Sequence, residues 1–154
     1  MEHLLEVKNL SVSIDGPAGE VQAVRDVSFS LKKGEVLAIV GESGCGKSVL
    51  CKSIMKLLPP SAKIKEGSIC VNGQDITCYR EKEMQKLRGR VFSMIFQDPM
   101  TSLNPTIKIG KQIGEAVVIH NKNYTKEQVN KKVLELMEPV SYTHLRAHET
   151  RGNL

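Results

Sequence analysis

Residues Gly41 to Ser48 read GESGCGKS and match the phosphate-binding loop pattern G-x-x-x-x-G-K-[ST] at every required position. Glycines in such a loop let the backbone curl into a concave nest of N–H groups. The helix that follows points its positive dipole end at the same anion. These residue types assign roles. Lys47 is expected to reach the β- and γ-phosphates of a nucleotide, and the Ser48 hydroxyl to be a ligand of the bridging Mg²⁺. Gly41, Glu42, Ser43, Gly44, Cys45, Gly46 and Val49 complete the predicted ATP-binding stretch.

The flanks supply the strand–loop–helix context that the pattern demands. Val36 to Val40 (VLAIV) is a short unbroken apolar run, which predicts a buried parallel strand. After Ser48, the stretch VLCKSIMKLL places Val49, Leu50, Ile54, Leu57 and Leu58 at helical spacing. Pro59 and Pro60 are expected to stop that helix.

Composition narrows the classes. At 154 residues the chain is long enough for one domain, and 40% apolar with 25% charged residues is ordinary for a globular protein. The net charge of +5 comes from scattered Lys and Arg; aromatics make up 4% and Trp is absent. No stacking platform for bases is visible, so nucleic acid is not an expected partner. The start, MEHLLEVKNL, carries Glu2 and Glu6 where an export signal needs basic residues. Apolar runs fall far short of the roughly 20 residues needed to cross a bilayer, so a soluble chain is expected. Cys45, Cys51, Cys70 and Cys78 form no C-x-x-C pair and predict free thiols of a reducing compartment.

The rest of the chain reads as alternating β and α segments. Leu4 to Lys8 and Leu10 to Ile14 look like short strands, with a turn at Asp15, Gly16, Pro17 and Gly19. Val27, Phe29 and Leu31 alternate in the next strand. Gly67 to Val71 followed by Asn72-Gly73 predicts a hairpin. Arg80 to Arg88 reads as a short helix with Met84 and Leu87 inward, and Val91 to Phe96 as a second buried strand. Thr106 to His120 looks helical, with Ile109, Ile113, Ala116 and Val117 on one stripe. Thr125 to Gln128 (TKEQ) is a capping box opening a helix with Val129, Val133, Leu136 and Met137 on one face, ended by Pro139.

The end of the second apolar run admits two readings. Asp98 could hold Mg²⁺ at a strand's carboxyl end, which would make the chain a self-contained phosphotransferase or NTPase. Alternatively Gln97 contacts the metal and the attacking water as a neutral amide, able to let go when its segment moves. A non-catalytic nucleotide-binding module that regulates a partner is a third possibility.

AVRDVSFSLKKGEVLAIVGESGCGKS and the later MIFQDPMTSLNP resemble the ATP-binding subunits of ABC transporters, more narrowly the peptide and nickel importer branch. The resemblance runs from about Leu4 to Val140. It implies an α/β fold: a P-loop NTPase core with an antiparallel β region beside it, and a truncated helical region from Thr106 onward. It makes Gln97 the Q-loop glutamine, contacting Mg²⁺ and water and coupling the nucleotide site to the permease, and it leaves Asp98 a structural neighbour. It implies ATP and Mg²⁺ as cofactors, a second ATP-binding subunit as dimer partner, transmembrane permease subunits, and a peripheral place on the cytoplasmic face of a bacterial-type membrane. Peptide is the cargo expected, ahead of nickel. Where the family carries an aromatic residue that stacks on adenine, this chain has Ile14.

Three family elements are missing from these 154 residues: no S-G-G occurs, no apolar strand ends in Asp-Glu, and His144 and His148 do not sit in a switch-histidine context. The chain by itself is expected to bind MgATP without turning it over. Residues 1–140 read as a partial nucleotide-binding domain. Residues 141–154, SYTHLRAHETRGNL, fit nothing in the pattern and read as a disordered or artefactual tail. His144 and His148 at i, i+4 lack a third ligand for a metal. Cys45 lies inside the nest at a helix N-terminus, a setting that favours thiol reactivity, and ATP is expected to protect it from maleimides.

Overall fold

A computed structural model describes residues 3–97 and 102–138. Pro139 and the tail 141–154, with its two histidines, lie outside those residues, as does Asp98. The chain divides into two compact units between Arg88 and Gly89.

The first unit is built on a four-stranded antiparallel sheet. Its strands are β1 (His3–Gly16), β2 (Gly19–Lys32), β3 (Ala62–Val71) and β4 (Gln74–Asp75), in the order β2-β1-β3-β4. The turn at Gly16 to Gly19 closes the β1–β2 hairpin, and Asn72-Gly73 closes β3 onto β4 with both residues at positive φ, as a tight primed turn requires. The two short strands expected before Ile14 are one continuous strand. Asn9 interrupts its ladder without ending it: β1 pairs Val7 with Phe29, then Leu10 with Val27. Asn9 and Asp26 both adopt left-handed backbone, at φ 48 and φ 46, which Asn and Asp tolerate better than other side chains. Asn9 Nδ2 donates to Asp26 Oδ1 at 2.8 Å and Asn9 N donates to Ser28 Oγ at 2.8 Å. Gly67 of β3 lies against this bulge, where a Cβ would come within 2.6 Å of the Leu10 Cα.

Val7, Leu10 and Val12 of β1, Val24 of β2 and Ile69 and Val71 of β3 form the buried face of the sheet's core. Helix α1 (Lys47–Ile54) contacts β1 and β2 and buries Leu50 and Ser53, the Ser53 hydroxyl donating to the Leu50 carbonyl at 2.6 Å. The helix stops before the prolines expected to end it. Lys56 turns left-handed at φ 51, the Leu57 N–H returns to the Lys52 carbonyl at 2.8 Å, and the Lys56 N–H to Ser53 at 3.1 Å. That is a Schellman ending, formed with lysine at the usual glycine position. Helix α2 (Glu81–Leu87) buries Met84 completely, and the Glu83 carboxylate accepts from the Arg80 N–H at 2.8 Å.

Arg88 joins α1 to α2. Its Nε donates to the Met55 carbonyl at 2.9 Å and its Nη2 to the Lys56 carbonyl at 2.9 Å. Its other face grips Glu81 through both carboxylate oxygens, at 2.7 and 3.1 Å.

The second unit holds helices α3 (Ile109–His120) and α4 (Lys126–Met137), which pack on each other. Gly114 is buried, and a Cβ there would lie 3.5 Å from Val129 and 3.6 Å from Val133, so this glycine brings the helices close. The TKEQ box forms: the Thr125 N–H donates to Gln128 Oε1 at 2.8 Å and the Gln128 N–H to Thr125 Oγ1 at 3.3 Å. Helix α3 starts at Ile109, three residues later than expected. Ala116 and Leu136, placed on inner stripes by periodicity, are exposed.

Two expectations are overturned. VLAIV and VFSMIF are not buried strands. Apart from an isolated bridge at Phe92, neither run pairs as a strand, and both lie open, with Val36 95% and Ile95 91% exposed. A parallel strand is held by ladder bonds to neighbours on its edges, and no other described segment extends a ladder along either run.

Candidate nucleotide-binding site

The loop Gly41 to Ser48 has the backbone its glycines permit. Gly44 and Gly46 sit at φ 82 and φ 95, left-handed values that few side chains adopt. Gly46 is the N-cap residue of α1, and its carbonyl accepts the first helical bond, from the Leu50 N–H at 2.8 Å. It also rests on the sheet: a Cβ on Gly46 would collide with the Ala23 carbonyl oxygen and lie 3.8 Å from Val24 Cγ2. Ala23 is itself skipped by the β1–β2 ladder, which pairs Val12 with Val24 and then Ser13 with Gln22. A bulge in β2 thus meets the loop, a common way of aiming backbone next to a functional site.

Lys47 folds back over its own loop. Its Nζ donates to the Gly41 carbonyl at 2.7 Å, to the Glu42 carbonyl at 2.6 Å and to Cys45 Sγ at 3.4 Å. The Cys45 thiol also crowds Gly41, where a Cβ would lie 2.6 Å from the sulfur. The ammonium group is therefore held at the loop by two carbonyls and a thiol, contacts that an anion would exchange.

An open cleft of about 730 Å³ runs from this loop to the end of the β1–β2 hairpin. Gly44 to Leu50 line one part of it; Ile14, Val21 and Val24 line another. The structure thus brings Ile14 and the loop to one cleft. Val21, Ala23 and Val24 belong to it too, and sequence reasoning missed them, because a bulge in β2 leaves no periodic trace. Gln97 is exposed at the end of the VFSMIF run, in the second unit.

The donor set suits a polyphosphate with its cation. No group of three or more His, Cys, Asp or Glu side chains among the described residues could hold a metal ion. A cation in this cleft would rest on the phosphates and on Ser48, the arrangement usual for Mg²⁺, which keeps few protein ligands.

Perturbed titrations fall away from the loop. The hydrogen bonds from Arg88 hold the Glu81 carboxyl below the usual carboxylate range. Those from Thr77 do the same for Asp75, and burial pushes the Cys70 thiol up. Within the described residues, these groups mark structural contacts of the sheet and of α2.

A glycine nest opening a helix on an α/β scaffold defines the P-loop NTPase class. Residues 24–153 match the family model described as ABC transporter, and the chain belongs to that family. It is 51% identical over 147 residues to the dipeptide transport ATP-binding protein DppD of Lactococcus lactis subsp. cremoris (strain MG1363), covering 96% of this chain and 42% of that protein. It is 56% identical over 138 residues to the oligopeptide transport ATP-binding protein OppD of Bacillus subtilis (strain 168), covering 89% of this chain and 38% of that protein. The chain thus spans about two fifths of the length of these curated relatives. Among solved structures, a dimeric ATP-binding cassette in a post-hydrolysis state bound to ADP and Pi superposes with a TM-score of 0.72 at 22% identity, over 87% of this chain and 56% of that one. The cbiO1 protein of Clostridium perfringens, part of the ABC transporter complex cbiONQ, gives 0.67 at 26% identity, over 94% of this chain and 53% of that one. No helix among the described residues is long and apolar enough to cross a membrane.

Proposed function

We propose that this chain is the nucleotide-binding part of the energy-coupling subunit of a peptide importer. The observation that carries the reading is the GESGCGKS loop seated on β2, in a chain 51–56% identical to proteins named for dipeptide and oligopeptide transport. On this reading Lys47 exchanges the Gly41 and Glu42 carbonyls for β- and γ-phosphate oxygens, trading neutral acceptors for charged ones. The loop amides from Gly41 to Val49 hold the phosphates, and Ser48 completes the shell of Mg²⁺. Gln97 serves as the sensor that carries the state of the nucleotide to a permease.

The whole protein would pair with a second ATP-binding subunit and work at the cytoplasmic face of the membrane, where closure around ATP drives peptide uptake. ATP bound with Mg²⁺ supplies the phosphoanhydride whose hydrolysis powers that cycle. The 154-residue chain holds the binding parts and contains neither an S-G-G signature nor an Asp-Glu strand end. The polypeptide by itself therefore binds without turnover.

Equilibrium binding of MgATP tests the site. Lys47→Ala is expected to weaken it by about tenfold or more, and unchanged affinity would remove the basis of the reading. Loss of dipeptide uptake on disrupting the corresponding gene, restored by the intact gene, tests the cargo. Normal peptide uptake with impaired nickel uptake would reassign it.

A further inference from the structure

We propose that the outer edge of β2 pairs with the same edge of a second copy of this chain, antiparallel about Phe29. The proposal stands apart from the nucleotide reading and does not rest on it. β2 lies at one end of the strand order β2-β1-β3-β4, and the strand at the other end, β4, is only two residues long. Among the described residues no strand pairs with β2 on its outer side, so alternate N–H and C=O groups along it lack a ladder partner. Edge strands are commonly blunted by bulges or by a short length. The stretch Val27 to Leu31 has neither protection. Its ladder sets Val27 against Leu10, Phe29 against Val7, Ser30 against Glu6 and Leu31 against Leu5. The irregularities at Leu4 and at Lys8 and Asn9 put the extra residues in β1, so β2 itself carries no bulge there.

This edge is symmetric in sequence. VSFSL reads aliphatic, serine, Phe29, serine, aliphatic. With a two-fold axis at Phe29, Phe29 meets Phe29, Val27 meets Leu31 and Ser28 meets Ser30. A closed two-fold contact requires such a self-complementary patch. Val27, Phe29 and Leu31 are half-buried, and a neighbouring strand would cover them with an aromatic pair flanked by aliphatic pairs. The stretch also ends symmetrically. At one end Asp26 turns left-handed, at φ 46. At the other Lys32 enters a turn: its N–H donates to Glu35 Oε2 at 2.7 Å and its carbonyl accepts from the Glu35 N–H at 3.2 Å. Asp26 and Lys32 each lie three positions from Phe29. The axis therefore sets Asp26 opposite Lys32 at both ends, carboxylate against ammonium. The chain leaves the ladder before Arg25 and Lys33, whose like charges would otherwise face each other. A second copy thus matches this edge in length, side-chain size and charge together.

The test is analytical sedimentation of the whole 154-residue chain without nucleotide, which keeps pairing around ATP out of the measurement. One strand pair buries less than a stable interface does, so reversible dimers with a dissociation constant of about 10–100 μM are expected. Lys32→Glu, at an exposed position that leaves the fold intact, sets carboxylate against carboxylate at both ends and is expected to weaken the dimer about tenfold or more. Lys82→Glu, the same charge change at an exposed position of α2, is expected to leave it unaltered. Under copper–phenanthroline oxidation, Phe29→Cys is expected to form disulfide-linked dimers about tenfold faster than Val21→Cys, because the axis brings position 29 against its own copy and keeps position 21 far from it. The unaltered chain, with its own four cysteines, supplies the background. A chain that stays monomeric at about 1 mM, or that grows into open-ended aggregates, would overturn the proposal. So would equal weakening by Lys32→Glu and Lys82→Glu, or equal linking rates at positions 29 and 21.

Discussion

Gly46 sits so close to the Ala23 carbonyl that no β-carbon fits between them. The phosphate loop is thus keyed to a bulge in β2 at the residue where α1 begins. Two demands meet at this glycine, a left-handed φ of 95 and a missing side chain. Gly46→Ala is expected to cost about 1–3 kcal/mol of stability for the strained backbone, with more added by the clash. Thermal melts measure that loss. Triphosphate affinity should fall in any variant that still folds, because the loop must lift off the sheet. A variant with unaltered melting and binding would show that the loop does not rest on β2.

Arg88 caps the end of α1 while holding α2, so its removal leaves two helix-end carbonyls without their donor. Arg88→Met is expected to destabilise the first unit by about 1–3 kcal/mol, the usual cost of orphaning half-buried polar groups. Arg88→Lys should recover little of this. An ammonium group cannot reach the Met55 and Lys56 carbonyls and both Glu81 oxygens with one planar fork. Urea unfolding of the three chains separates these outcomes; full rescue by lysine would reduce Arg88 to a simple charge.

Acid weakens the same contact from the other side. The folded-state pKa of Glu81 is depressed by Arg88. Its contribution is therefore present in full above the unfolded-state value and is lost as pH falls through the lower folded-state value. The stability difference between the natural chain and Glu81→Gln should hold near neutrality and shrink towards zero on titration from about pH 6 to about pH 3. A difference that stays constant across that range would mean that the carboxylate charge plays no part.

Cys45 is exposed, lies 3.4 Å from the Lys47 ammonium and lines the cleft. Maleimide labelling of Cys45 is expected to slow when MgATP is bound, because phosphates would cover the nest it occupies. Cys78 is also exposed and lies outside the cleft lining, so it serves as the internal control that nucleotide leaves unchanged. Equal labelling of Cys45 with and without MgATP would mean that the thiol faces away from the bound anion.

Local signals in the sequence carried well. The Asn72-Gly73 turn, the TKEQ cap and the glycines of the loop act over a few residues, and each adopts the backbone its chemistry demands. VLAIV and VFSMIF read as buried strands because they are apolar, yet burial of a strand depends on partners far away in sequence, and the described residues provide no sheet for them. The end of α1 misled for the opposite reason: Pro59 and Pro60 announce a stop, while Lys56 reaches a left-handed turn first and donates to the Tyr79 carbonyl. Arg88 gave no sign at all, since its partners at Met55 and Lys56 are neighbours only once the chain has folded.

Asn9 resets the parity of its strand. Val7 is buried before it, and Leu10 and Val12 after it, so odd and even positions exchange sides at that point. Ile14 follows the even set. A chain one residue shorter at Asn9 would keep every hydrophobic residue and still present Leu10, Val12 and Ile14 to solvent, with Ser11 turned inward. The Ile14 end of the cleft thus depends on a count of residues made five positions upstream, and single-residue deletions there should be tolerated far less than substitutions.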